Sequence, residues 1–303
     1  MIHNKVMKKL IFTLLLISSQ TFSSTPSELG LYFIPSPFGI DWSTPSSLAV
    51  TAAKNKFSFK SHFMGHVWVE IKCGDKHELT GMVAAKPDYL NQILIQQKGL
   101  GVLYHSFDGR LETKFDIEVE RRDLYKEGRI NFVKFNLNQK QCSRVFQYAT
   151  EYRKLNVGKY YGLANRPRWG EGSGCSAFGA SFVDVLNILD QDMKMSWSQS
   201  VKIPLELAGP PVREESVSLF KIISHSKSWA KDNEPHKLLK FWDPDLMYKW
   251  VNKKISQKQI GYSIEKRDNS QGIVFDKSHF PSPEEPIWEQ QLDPKDPKKM
   301  ALE

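Results

Sequence analysis

Trp169-Gly170-Glu171-Gly172-Ser173-Gly174-Cys175-Ser176-Ala177-Phe178-Gly179-Ala180-Ser181-Phe182 is the stretch on which the reading of this chain turns. The alternating glycines up to Gly174 predict a loop. From Cys175 the spacing becomes helical, with Phe178, Phe182, Leu186 and Leu189 on one buried stripe and Cys175 on the same side. A thiol in a first helical turn faces unpaired N–H groups and the positive end of the helix dipole, and both favour thiolate over thiol. The plainer reading is a buried, inert cysteine that merely starts a helix.

Upstream, Phe63 to Phe135 alternates in the manner of an antiparallel sheet. In His66-Val67-Trp68-Val69-Glu70-Ile71 the valines and Ile71 take one face, while His66, Trp68 and Glu70 take the other. Gly74-Asp75 signals a hairpin, and the next strand is expected over His77 to Ala84. A tight turn pairs Lys72 with His77 and puts His77 on the His66 face, with Glu78 on the other; a turn one residue longer reverses this. A second hairpin is expected from Gly101 to His105, through Asp108-Gly109, to Leu111–Ile117. Ile130 to Leu137 reads as a strand with both faces partly buried. Asn138 and Gln141 form a capping-box pair for a helix that continues to about Leu155, and Gly158 ends it.

Residues 1–24 have the layout of a secretory signal: Lys5, Lys8 and Lys9, then the short apolar run Leu10–Ile17, then small residues. The expectation is an exported chain, periplasmic or secreted, that is not an integral membrane protein after cleavage. Without those three lysines the formal charge of +8 falls to +5. No basic block interleaved with aromatics is present, so nucleic acid is not expected as a partner. Three cysteines are an odd number for an oxidising compartment. A Cys73–Cys142 disulfide would leave Cys175 free; in the loop-entropy picture such a bond contributes roughly 4 kcal/mol. Alternatively, both are buried small hydrophobes. Residues 25–60 read as an extended lead-in, and 201–303 as a C-terminal extension with a Pro-rich tail or strap from Phe280.

The order of a strand-borne histidine, a hairpin, more strands, a helix, and then a cysteine at a helix start resembles the circularly permuted NlpC-like branch of the papain-like thiol hydrolases, which includes lecithin:retinol acyltransferase-like proteins. Gly65-His66-Val67-Trp68-Val69 and Gly174-Cys175-Ser176-Ala177-Phe178 carry the resemblance, with the strand, helix and Lys-Tyr-Tyr lead-in between Phe132 and Tyr161. It implies an α+β fold with a papain-like core over 61–200, an antiparallel sheet packed against the cysteine-bearing helix. It also implies Cys175 as nucleophile, His66 as its base, and a polar residue on the following strand to orient the imidazole. The register makes His77 the choice for that role, with Glu78 and Thr80 behind it.

Trp68 and Trp169 are candidates for contacting substrate, although Trp68 could equally pack in the core and Trp169 hold its loop. His62 and His66, like Cys73 and His77, stand four apart, a zinc spacing on helices but not on strands, so no metal and no cofactor is expected. The implied activity is thiol-dependent hydrolysis of an amide or ester. Cell-wall peptide is the first substrate class, acyl-lipid hydrolysis or transfer the second, and an inactive binding module the third reading. Cleft character separates the first two, since a lipid needs an apolar tunnel and a peptide needs hydrogen-bonding edges.

Overall fold

The hairpin at Gly74-Asp75 forms with the tight register: β2 (His66–Cys73) pairs with β3 (Lys76–Ala84) so that Lys72 lies opposite His77. The fold around it comes from a computed structural model, which describes residues 27–290 apart from Phe59, Pro87, Leu90 and Gln259. The signal segment 1–24 and the tail beyond 290 lie outside the described residues.

The lead-in is not extended surface chain. It supplies β1 (Glu28–Ile34), which inserts between β2 and β5 (Asn131–Asn136) and is buried along almost its whole length. It also supplies α1 (Pro45–Lys56), capped by the Thr44 hydroxyl and started by Pro45. The second hairpin is likewise replaced. β4 (Phe107–Leu111) pairs with β3 and with β6 (Tyr160–Tyr161), but the chain then turns into α2 (Lys114–Glu127). A reciprocal Thr113–Asp116 capping box starts α2, and Gly128 in the left-handed region ends it. The expected box at Asn138 and Gln141 starts α3 (Gln139–Lys154).

The C-terminal region is not an appendage, so the boundary at 200 does not divide the fold. β9 (Ser263–Arg267) and β10 (Ser270–Asp276) complete an eight-stranded sheet among the described residues, in the order β6-β4-β3-β2-β1-β5-β10-β9. Only β5 and β10 run parallel; the other neighbours are antiparallel. α7 (Pro244–Gln257) packs on β1 and β5. Residues 280–290 act as a strap, where Trp288 lies against Tyr148 and Tyr152 and Arg168 donates to Ile287 O.

One face of the sheet carries α3, α4 (Cys175–Val185), α5 (Gln191–Trp197) and α7 over a core that includes Leu31, Phe33, Val67, Val69, Phe135 and Phe182. The other face packs Trp68, Tyr32 and Phe132 under Ile117, Leu124 and Tyr125 of α2 and its C-terminal end. A separate ribbon, β7 (Ser198–Pro204) with β8 (His236–Trp242), joins α1 and the short helix α6 (Leu219–Ile223) around a third apolar cluster. Cys73 and Cys142 are disulfide-bonded, tying β2 to the start of α3, and Cys175 is the free cysteine.

Candidate active site

Close packing of α4 on β2 places the thiol. Gly179 lies one turn beyond Cys175, and a Cβ there would come within 2.6 Å of Val67 Cγ1. The missing side chain lets α4 settle onto the strand, so that the Val67 backbone N–H reaches the Cys175 sulfur. His66, at the head of β2, is within hydrogen-bonding reach of the same sulfur. Its Nε2 is held by Glu112 Oε2 at 2.7 Å, which leaves Nδ1 for the sulfur. Tyr161 Oη donates toward Cys175 Sγ at 3.9 Å.

The charges of the site are set by burial and by pairing. Burial pushes the Cys175 thiol up, but the His66 charge, hydrogen bonds from His66 and Tyr161, and the Val67 N–H outweigh it and leave the pKa below its ordinary value. For His66, burial favours the neutral ring. Glu112 and the Cys175 thiolate reverse that and raise its pKa to about 10. Both shifts favour the thiolate–imidazolium form of the pair over the neutral one. Tyr161 is pushed well up, first by burial and then by the thiolate, so its hydroxyl remains a donor.

Glu112, not His77, orients the imidazole. His77 shares the His66 face as the register requires, but it pairs with Lys72, six residues from His66, which is roughly 20 Å along a strand. There it bonds Glu70 at 2.9 Å, in a network with Tyr32 and Arg121 on the α2 side of the sheet. Glu78 faces α3 and pairs with Arg153. Thr80 donates its hydroxyl to Glu112 O at 3.0 Å and so supports the loop that carries the carboxylate.

Gly81 explains why a residue from beyond β4 can reach so far. It faces Trp68 across the hairpin, and a Cβ at that position would overlap Glu112 Oε2 and lie 3.2 Å from His66 Nε2. Glu112 occupies the space that a side chain on β3 would fill. Gly81→Ser is therefore expected to displace the carboxylate and slow alkylation of Cys175, whose thiolate form the His66 charge favours. Iodoacetamide labelling of the purified variant checks this, and labelling at the wild-type rate would refute it.

The tryptophans do not touch substrate space. Trp68 is buried and donates to Glu112 Oε2 at 3.1 Å, so it is a second support of the carboxylate. Trp169 bonds Glu289, lies under the Arg166 guanidinium at 4.2 Å, and helps fasten the strap. Neither lines the cavity.

Sequence reasoning missed Glu112, His62 and the role of Tyr161. His62 stacks on His66 with ring centroids 4.2 Å apart and bonds Glu120 at 3.1 Å. Burial and the neighbouring His66 charge push its pKa down, so it stacks as the neutral ring. Its four-residue spacing from His66 was visible but signalled stacking rather than a metal. Among the described residues no group of three or more His, Cys, Asp or Glu side chains is arranged to hold a metal ion.

A cavity of about 520 Å³ opens from Cys175 and His66. Its walls are Ala49, Ala52 and Phe57 of α1 and the residue after it, Ile93 and Leu94, Leu100 and Leu103, Leu219 and Ile222 of α6, and Phe241 with Trp242 of β8. Polar lining is confined mainly to Lys56, Tyr89, His105, Tyr161, Ser176, Asp243 and the histidines at the Cys175 end.

No protein-family model matches this chain, and neither does any curated protein or solved structure. Among the described residues, no helix is long and apolar enough to cross a membrane.

Proposed function

We propose that this chain is a cysteine hydrolase or acyltransferase with a papain-like catalytic arrangement, and that it acts on an ester or amide of a long acyl chain. The apolar cavity that ends at Cys175 is the observation that carries this reading, and it favours an acyl substrate over cell-wall peptide. An extended peptide would need backbone donors and acceptors along the walls, and these walls are mostly side-chain hydrocarbon. The Cys73–Cys142 disulfide supports export to an oxidising compartment.

The chemistry follows from the groups in place. The Cys175 thiolate attacks the acyl carbon, and the carbonyl electrons move to oxygen. The Cys175 N–H, at a helix start that has no side-chain cap, and the Tyr161 hydroxyl are positioned to stabilise that oxyanion. As the tetrahedral species collapses, imidazolium His66 gives its proton to the departing alkoxide or amine, leaving a thioester. Neutral His66 then takes a proton from water, or from an acceptor alcohol, which attacks the thioester. The acid or new ester leaves and the thiolate is restored.

A series of nitrophenyl esters with acyl chains of increasing length tests the substrate class. Each methylene buried in the cavity is worth about 0.8 kcal/mol, so kcat/KM is expected to climb roughly fourfold per added methylene until the cavity is full. Cys175→Ala should be silent throughout. A flat dependence on chain length, together with amine release from cell-wall peptides, would return the assignment to a peptidase or amidase.

A further inference from the structure

The mouth of the acyl cavity is built from three contiguous pieces: α1 with Phe57 just after it, the π-helical turn Asn91–Ile95, and α6. Ser46 Oγ of α1 donates to Ile223 O of α6 at 2.8 Å, and Val217 N, just before α6, donates to Gln97 O, just after the π-turn, at 2.5 Å. A short helix that buries one apolar face normally turns a polar face outward. α6 does not. Leu219 and Ile222 line the cavity, while Phe220 on the outside is 79% exposed. Its neighbours repeat the pattern: Ile95 is 76% exposed and Phe57 64%.

Charge around this rim is mostly positive, although Glu120 reaches Ser61 and His62 from α2 and Glu206 lies 3.8 Å from His225. Residues 45–64, 86–99 and 218–229 contain seven lysines and a single acid, Asp88. Their net charge of +6 exceeds the +5 of the whole of residues 25–303, so the rest of the protein is close to neutral. Lys54, Lys60, Lys86, Lys221 and Lys227 are exposed among the apolar side chains.

We infer that this rim is a docking surface for a lipid layer rich in anionic headgroups. Exposed apolar side chains enter the boundary between headgroups and acyl chains, and the lysines face the phosphates. The inference rests on the acyl-chain reading of the cavity. The docked cavity opens into the layer that stores its substrate, so a chain passes from lipid to Cys175 without crossing water. The net positive charge selects this occupant over a second copy of the same chain, because two such rims would repel each other.

Flotation of the full chain with vesicles of phosphatidylcholine alone, or of phosphatidylcholine with phosphatidylglycerol, tests the surface. Wild type should float with the anionic vesicles, should not float with the neutral ones, and should be released by high salt. The double variant I95D/F220D should bind at least about tenfold more weakly, since each change removes a large apolar side chain from the interface. Its Cys175 alkylation rate, which reports the intact site, should stay at the wild-type value. Absent binding, binding indifferent to headgroup charge, or binding unaltered by the double variant would overturn the inference. So would a dimer in solution that the same substitutions dissociate. If the vesicles bind but no acyl ester is turned over, the docking surface stands and the catalytic reading fails; turnover without docking separates the two in the opposite sense.

Discussion

Cys175→Ala is expected to abolish acyl-ester turnover, a loss on the order of 10⁶-fold in kcat, since removing a nucleophile that works as one unit with its base removes the whole covalent route. The fold should survive, because the change deletes one sulfur from a helix start held independently by Gly179 against Val67 and by the Ser176 hydroxyl on Trp242 O. Wild-type activity should also have a defined pH profile. The Cys175 pKa is lowered, so activity rises on the acid side as the thiolate forms below the ordinary thiol range. The His66 pKa is raised to about 10, so activity falls only as pH passes through that value and the leaving-group proton is lost. Between the two limits lies a plateau on which thiolate and imidazolium coexist. A pH–rate series and iodoacetamide alkylation near pH 6 measure both limbs. Alkylation as slow as that of a free cysteine would mean that no ion pair exists.

Removing Glu112 should have the second-largest effect. Its Oε2 accepts from both His66 Nε2 and Trp68 Nε1, and all three side chains are buried. Glu112→Ala strands both donors and releases the imidazole, with an expected loss of about 10³–10⁴-fold in kcat and about 3–5 kcal/mol in stability. Glu112→Gln keeps the shape but removes the charge. Without the carboxylate the His66 pKa should fall from about 10 toward its ordinary value, so the alkaline limb of activity moves down in pH while the acid limb moves up. This movement distinguishes an electrostatic partner from a mere packing contact. A variant with the wild-type profile would assign orientation to some other group.

The glutamate is also where sequence reading stopped. The hairpin register was legible because Gly74-Asp75 dictates a tight turn, and that register correctly put His77 on the His66 face. The same register set His77 opposite Lys72, six residues along the strand from His66 and so out of reach of its ring. It could not tell that Gly81, near His66, vacates the space for the Glu112 carboxylate, 46 residues beyond His66. The helix from Lys114 was announced by Thr113, Asp116 and Gly128. The alternation of Leu111, Thr113 and Phe115 around it reads equally as a strand, and local pattern alone did not arbitrate. β1 offered alternating Leu29, Leu31 and Phe33, but a central strand is buried on both faces, so Tyr32 and Ile34 on the other face blurred the period.

By itself the sequence picked out the groups: a cysteine at a helix start and a histidine at the head of a strand, each read from neighbours a few residues away, and three cysteines of which one pairing would leave Cys175 free. Only the tertiary structure brought Glu112 onto His66 and opened an apolar cavity at Cys175. Glu112 and the cavity walls come from segments between 40 and 244 that share no local pattern. Their meeting is set by which faces of distant elements bury together, a property of the packed whole rather than of any stretch of chain.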